Sequence, residues 1–254
     1  MEVRILGCGT SSGVPRVGND WGSCDPANPK NRRRRVSILV SHERASILVD
    51  TGPDLREQLL DADVKGVDGV IWTHDHADHC HGIDDLRQLY HARGRPVDGF
   101  ARQATLDLLQ MRFGYAFDGT KGYPAVATPH LLKDHMNLAG VSVRAVDQPH
   151  GNITSAGLRF DAGGKSIVYS TDFHELTPQM ETMIEGVDLW IVDALRRRPH
   201  PSHPHLGQVL EWVTQLQPKH TLLTHLDNSM DYATLTAELP PGVEPAYDGM
   251  EISL

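Results

Sequence analysis

Val70-Ile71-Trp72-Thr73-His74-Asp75-His76-Ala77-Asp78-His79 is the stretch on which the reading of this chain turns. The apolar run Val70 to Trp72 has the β-branched and aromatic composition of a buried strand, expected to end at His74. It gives way at once to imidazoles and carboxylates crowded into one turn. These donors suit zinc, manganese or iron, and pairs at this spacing on one loop can face two different ions. His74 and His76 point one way; Asp78 and His79, as a helical turn begins near Asp78, can point another. An acidic residue also suits the positive end of a helix dipole. The alternative is a solvated turn that happens to be rich in histidine.

Three further donors share one placement. His150 follows the strand expected over Val141 to Val146, Asp172 follows Ile167-Val168-Tyr169-Ser170-Thr171, and His225 follows Thr221-Leu222-Leu223-Thr224. Singly, each could be a capping or loop residue. Together with the first motif they put seven nitrogen and oxygen donors at the carboxyl ends of four strands, the edge where open α/β sheets assemble ligand sites.

The rest of the chain fits an α/β architecture. Arg4 to Leu6, Val36 to Ser41 and Ser46 to Asp50 read as strands, the last two as a hairpin around Ser41-His42-Glu43-Arg44. Strands are also expected at Val67 to Trp72, Ser142 to Val146, Ser166 to Tyr169, Leu189 to Val192 and Thr221 to Leu223. Helices are expected over residues 55–62, 103–113, 178–184 and 206–216. Residues 85–133 have the weakest strand signal and read as a helical excursion, with Tyr115, Phe117 and Tyr123 on a mobile edge. The Gly, Ser and Pro-rich segment from Gly7 to Asn31 is long for a structureless connection. No repeat or linker interrupts the 254 residues, so one domain over 1–254 is expected.

Composition narrows the function classes. A formal net charge of -9 argues against nucleic acid or acidic membranes as general partners, although Arg32 to Arg35 and Arg196 to Arg198 could meet a small anion if they are not simply solvated. No apolar run is long enough to span a membrane, and the N-terminus lacks a leader pattern, so a cytoplasmic location is expected. Three cysteines, Cys8, Cys24 and Cys80, suggest free thiols rather than a disulfide framework. The 15 histidines exceed what packing or solubility would ask for.

His74-x-His76-x-Asp78-His79, His150, Asp172 and His225, in that order, resemble the ligand pattern of the binuclear metallo-β-lactamase superfamily. The resemblance spans nearly the whole chain and implies a four-layer αββα sandwich. It also implies His74, His76 and His150 on one metal, Asp78, His79 and His225 on the other, Asp172 bridging, and Asp50 orienting ligands from behind. Within the superfamily, Gly7-Cys8-Gly9-Thr10-Ser11-Ser12-Gly13-Val14-Pro15, Trp21-Gly22, Leu223-Thr224-His225 and Tyr247-Asp248-Gly249-Met250-Glu251-Ile252 are similar to the PhnP-type phosphodiesterases, which act on a ribosyl cyclic phosphate. Those enzymes can carry an extra structural zinc. Here only Cys24 follows Trp21-Gly22 and Asn228 stands where its histidine would be, so no structural cysteine zinc site is expected.

The expected activity is therefore hydrolysis of a small phosphodiester, cyclic or nucleotide-like, by a hydroxide bridging two divalent ions, manganese or zinc with iron also compatible. His203 is the expected proton donor to the leaving group, with His200 and His205 on the same loop as alternatives. Arg196 to Arg198 could grip a second phosphate. Cys80 is expected to pack beneath the site. Rival readings are a ribonuclease Z-like RNA 3′-processing nuclease, a thioester or lactone hydrolase resembling glyoxalase II, and a metal-binding sensor without turnover. A homodimer is compatible with the sequence but not specified by it.

Overall fold

The computed structural model describes residues 1–120 and 122–254. The first sheet is built from β1 (Glu2–Gly7), β2 (Ser37–His42), β3 (Ala45–Val49), β4 (Gly69–Ile71), β5 (Val97–Ala101) and β6 (Ala127–Leu131). The second contains β7 (His135–Leu138), β8 (Val141–His150), β9 (Ile153–Ala162), β10 (Lys165–Ser170), β11 (Leu189–Asp193), β12 (Thr221–Thr224) and β13 (Val243–Pro245). The chain then returns to the first sheet as β14 (Glu251–Ser253). The strand orders are β14-β1-β2-β3-β4-β5-β6 and β13-β12-β11-β10-β9-β8-β7. In each sheet an antiparallel half gives way to a parallel half, at β3 in the first and β10 in the second.

Both faces of the central strands are apolar, and the strand period of two sends alternate residues into different layers. Ile47 and Val49 join Ile167 and Tyr169 in the core between the sheets. Leu48 and Trp72 face outward, against Leu55 of α1 (Leu55–Asp61), Leu86 and Leu89 of α3 (Leu86–Arg93), and Leu109 of α4 (Gln103–Asp118); the single turn α2 (Ala77–Cys80) carries Cys80 beneath them. On the other side Val168 and Trp190 pack on α5 (Pro178–Ile184), α6 (Leu206–Leu216) and α7 (Tyr232–Glu238). The result is the expected αββα sandwich. The start of α5 follows its sequence signal: Thr177 caps it through its hydroxyl, with Pro178 in the first turn.

Three expectations need correction. Residues 85–133 hold α3 and α4, but also β5 and β6, which complete the first sheet; residue 121, within that segment, lies outside the described residues. These strands escaped notice because Asp98, Gly99 and Pro129 are poor strand formers. Gly99 is required, since a Cβ there would lie 2.3 Å from the Trp72 ring. Second, β8 runs on to His150, so this ligand candidate ends the strand itself. Third, β4 stops at Ile71, leaving Thr73 to His76 as loop.

Candidate metal centre

Six strands of the two sheets end at one place. Asp50 follows β3, the loop from Thr73 to His79 follows β4, Asp172 and His225 follow β10 and β12 closely, and Asp193 and His150 are the last residues of β11 and β8. The backbone turns sharply as it leaves the strands: Asp50, Asp172 and His225 have φ of 65°, 51° and 55°. Asp and His tolerate this left-handed region better than most residues, and strain of this kind concentrates at functional sites.

The seven ligand candidates fall into two groups that share one carboxylate: His74, His76, His150 and Asp172, and Asp78, His79, Asp172 and His225. Asp172 divides its oxygens between them. Oδ2 lies 3.7 Å from His74 Nε2 and 3.5 Å from His150 Nε2, whereas Oδ1 lies 3.3 Å from His79 Nε2 and 3.5 Å from His225 Nε2. Asp78 Oδ2 closes the second group at 3.3 Å from His79 Nε2 and 3.6 Å from His225 Nε2. In the first, His76 Nδ1 and His150 Nε2 are 3.3 Å apart.

These spacings fit a cation. Ligands held about 2.1 Å from a tetrahedral metal stand about 3.4 Å from one another. The Nε2 atoms of His74, His79 and His225 are buried without a hydrogen-bond partner, a costly state for polar atoms unless a ligand meets them. The outer nitrogens are held from behind. His79 Nδ1 is 2.8 Å from Asp50 Oδ2, His150 Nδ1 donates to the Ser202 carbonyl at 2.9 Å, and Thr73 donates to Asp50 from both its backbone and its hydroxyl. Such contacts fix which nitrogen faces inward.

Electrostatics divide the groups in the same way. Burial, with the neighbouring His79 adding to it, holds His74 well below the usual imidazole range, and burial also lowers His150; both favour the neutral, ligating form. His79 and His225 are buried too, which opposes charge, but Asp172 and the other carboxylates outweigh it, raising His79 strongly and His225 to about 9. Burial pushes Asp172 and Asp78 up, yet His225 and His79 hold Asp172 well below its usual range, and His79 and His225 do the same for Asp78. Burial raises Asp50 despite His79 beside it. Asp172 and Asp78 are thus held ionised, the form in which a carboxylate can bind a cation.

His203 stands at the rim. Its Nε2 is 3.9 Å from Asp172 Oδ2, and its Nδ1 is 2.7 Å from Asp193 Oδ2. Asp193 is fully buried and its other oxygen lies 3.7 Å from His225 Nδ1, so one carboxylate backs both imidazoles. Sequence reading missed Asp193, although the signal, an acidic residue ending an apolar strand, was the one used for Asp172. His200 lies beside His203, with ring centres 5.0 Å apart, while His205 caps α6 by accepting from Gln208 N.

The arginine runs are structural in large part. Arg33 is buried and donates to the carbonyls of Asp227 and Met230, Arg34 pairs with Asp61 and Asp248, and Arg35 pairs with Asp54. A solvated loop is therefore the wrong description of Arg33 to Arg35, whereas Arg32 is exposed, over the Trp21 ring. Arg196 folds back on its own loop and Arg197 pairs with Glu238. Cys24 Sγ is 3.7 Å from Arg33, and Asn228 donates to Asp20. Cys80 is buried beneath the ligand loop, its thiol pushed by burial to about 12.

Comparison with known proteins agrees with this arrangement. The profile of the family described as "Beta-lactamase superfamily domain" matches residues 45–226. A crystal structure of a diphosphatase from the PhnP family superposes with a TM-score of 0.90 at 34% identity, covering 99% of this chain and 96% of that one. Zinc-bound PqqB from Methylobacterium extorquens shares the fold, with a TM-score of 0.77 at 19% identity over the full length of both chains. An octanoyltransferase from Porphyromonas gingivalis is 31% identical over 99% of this chain, which spans 51% of that protein's length.

Proposed function

Since the chain belongs to the beta-lactamase superfamily of metal-dependent hydrolases, we propose that it cleaves a small phosphodiester, cyclic or nucleotide-like, with the help of two divalent ions, manganese or zinc. His74, His76 and His150 would hold one ion, Asp78, His79 and His225 the other, with Asp172 shared. The observation that carries this reading is the division of Asp172, one oxygen facing each histidine group. When bound, such a pair of ions supplies hydroxide near neutral pH and neutralises charge that builds on phosphoryl oxygens.

The chain's own residues supply position and a proton. Asp193 accepts from His203 Nδ1, so that when the ring carries a second proton, on the Nε2 that lies toward Asp172, that proton can pass to the departing oxygen and leave neutral imidazole behind. Asp50 and the Ser202 carbonyl keep His79 and His150 turned inward. Arg16 and Arg198 line a neighbouring cavity of about 620 Å³ that could receive an anionic part of the substrate. The three free thiols suit a reducing compartment, and the cytoplasm is the location we propose.

A second reading follows from the similarity to a diphosphatase: the scissile link is a phosphoanhydride, cleaved by the same machinery. Hydrolysis of bis(p-nitrophenyl) phosphate, a dinucleoside diphosphate, a short RNA and a thioester by the manganese-loaded protein separates these readings. Turnover of the diester, abolished in Asp172→Ala, is the expected result; turnover of the thioester alone would sink the proposal.

A further inference from the structure

Asp75 stands between His74 and His76 yet belongs to neither donor group. It is 7% exposed, and its carboxylate is taken up by Arg112 of α4, with Nη2 2.5 Å from Oδ2. The same guanidinium donates from Nη1 to the Asp75 carbonyl at 2.5 Å, where the Cys80 thiol also donates at 3.2 Å. A planar fork thus grips one residue by side chain and backbone together, a geometry that a flexible ammonium cannot reproduce. Directly after Arg112 the helix departs from regular geometry at Phe113, φ -122° and ψ 34°, and the Phe113 ring meets His81 edge-on at 5.6 Å. Helix α4 therefore touches the ligand segment twice, between His74 and His76 and again beyond His79.

Leverage on the two donor groups is unequal. A rotation of the Asp75 peptide displaces His74 and His76 on either side of it. Asp78 and His79 ride on α2, which is tied separately to Thr51 through the His79 carbonyl at 2.7 Å and to Asp50 through the His79 ring. We propose that Arg112 is a positioning residue for the first ion site, setting the affinity of His74, His76 and His150 for a divalent cation with little influence on the second. The proposal rests on the two-ion reading above.

The test is a zinc titration of the full-length chain against a chromophoric chelator, in two backgrounds that each remove one site. His225→Ala should leave one equivalent at the first site and His76→Ala one at the second. Adding Arg112→Ala should weaken zinc binding about tenfold or more in the His225→Ala background, within the range seen when residues behind a ligand are lost, and leave it nearly unchanged in the His76→Ala background. Arg112→Lys should recover only part of the loss. A loss of equal size in both backgrounds would be a general structural effect and would overturn the proposal, as would no loss in the first. If the wild-type chain binds fewer than two equivalents, the two-ion reading fails and takes this one with it.

Discussion

Asp193 Oδ2 lies 2.7 Å from His203 Nδ1, inside a strand end that no solvent reaches. The carboxylate can only accept at that contact, so Nδ1 keeps its proton and Nε2, which faces Asp172, is the nitrogen that gains and gives up the second one.

The pair should therefore act as a unit. His203→Ala and Asp193→Asn are each expected to lower kcat about 10²-fold on a diester with an alkoxide leaving group, the usual worth of a positioned proton donor. The double variant should be little worse than either single one. Loss should be smaller with p-nitrophenolate, which departs without a proton. Steady-state kinetics across a leaving-group series, with metal content measured in each variant, check this; equal losses across the series would remove His203 from the proton's path.

Metal removal should cost stability as well as activity. Ions that bind the folded chain at a hundredfold excess over Kd add about 2.7 kcal/mol each, and about 1 kcal/mol moves Tm by about 2–4 °C in a chain of this size. The orphaned Nε2 atoms of His74, His79 and His225 have no other partner to gain. Chelation of both ions followed by calorimetry should lower Tm by roughly 10–20 °C, reversed by zinc or manganese but not by magnesium, whose preference for oxygen ligands does not match imidazole.

The reach of the sequence can be traced residue by residue. The clustering of His74, His76, Asp78, His79, His150, Asp172 and His225 was legible because metal-binding capacity is written in side-chain type and these residues gather beyond a few apolar runs. Asp193 carries the same mark, directly after the strand expected over Leu189 to Val192, but was not singled out. The contact between Arg112 and Asp75 was not legible, since it joins residues 37 apart through the kink in α4. Nor were the left-handed turns at Asp50, Asp172 and His225, because φ is set by the path the chain must take between layers. In β5 and β6 packing against Trp72 and edge position overrode weak strand propensity.

Asp248 gives the fold a pH dependence. Burial raises its carboxyl to about 6, against the opposing pull of the Arg34 amide and guanidinium and the Cys8 amide, which it accepts from. A raised carboxyl means that the folded chain keeps its proton to higher pH than the unfolded one. Its stabilising contribution is then full below about pH 4 and is lost as pH rises through about 6. The displacement from 3.8 to about 6 corresponds to about 3 kcal/mol at about 1.4 kcal/mol per pH unit, an upper figure because the side chain keeps 9% exposure. Denaturant unfolding from pH 4 to 7.5 should show the stability gap between wild type and Asp248→Asn changing across this window; parallel curves would count against the raised carboxyl.

Gly52 is the residue through which the first sheet supports the second donor group. It follows the turn at Asp50 and packs so closely on α2 that a Cβ would stand 2.3 Å from the Asp78 carbonyl oxygen. Backbone cannot yield there as a side-chain tip could, so Gly52→Ala must push α2 outward or draw Thr51 back. Either movement shifts Asp78 and His79, since Thr51 N binds the His79 carbonyl. The overpacking should cost about 1–3 kcal/mol of stability, and the second ion should be lost first as metal is withdrawn. Mass spectrometry of the intact protein under native conditions would read the result directly: a population holding one ion where wild type holds two supports this coupling, and unchanged loading at reduced stability would confine Gly52 to packing.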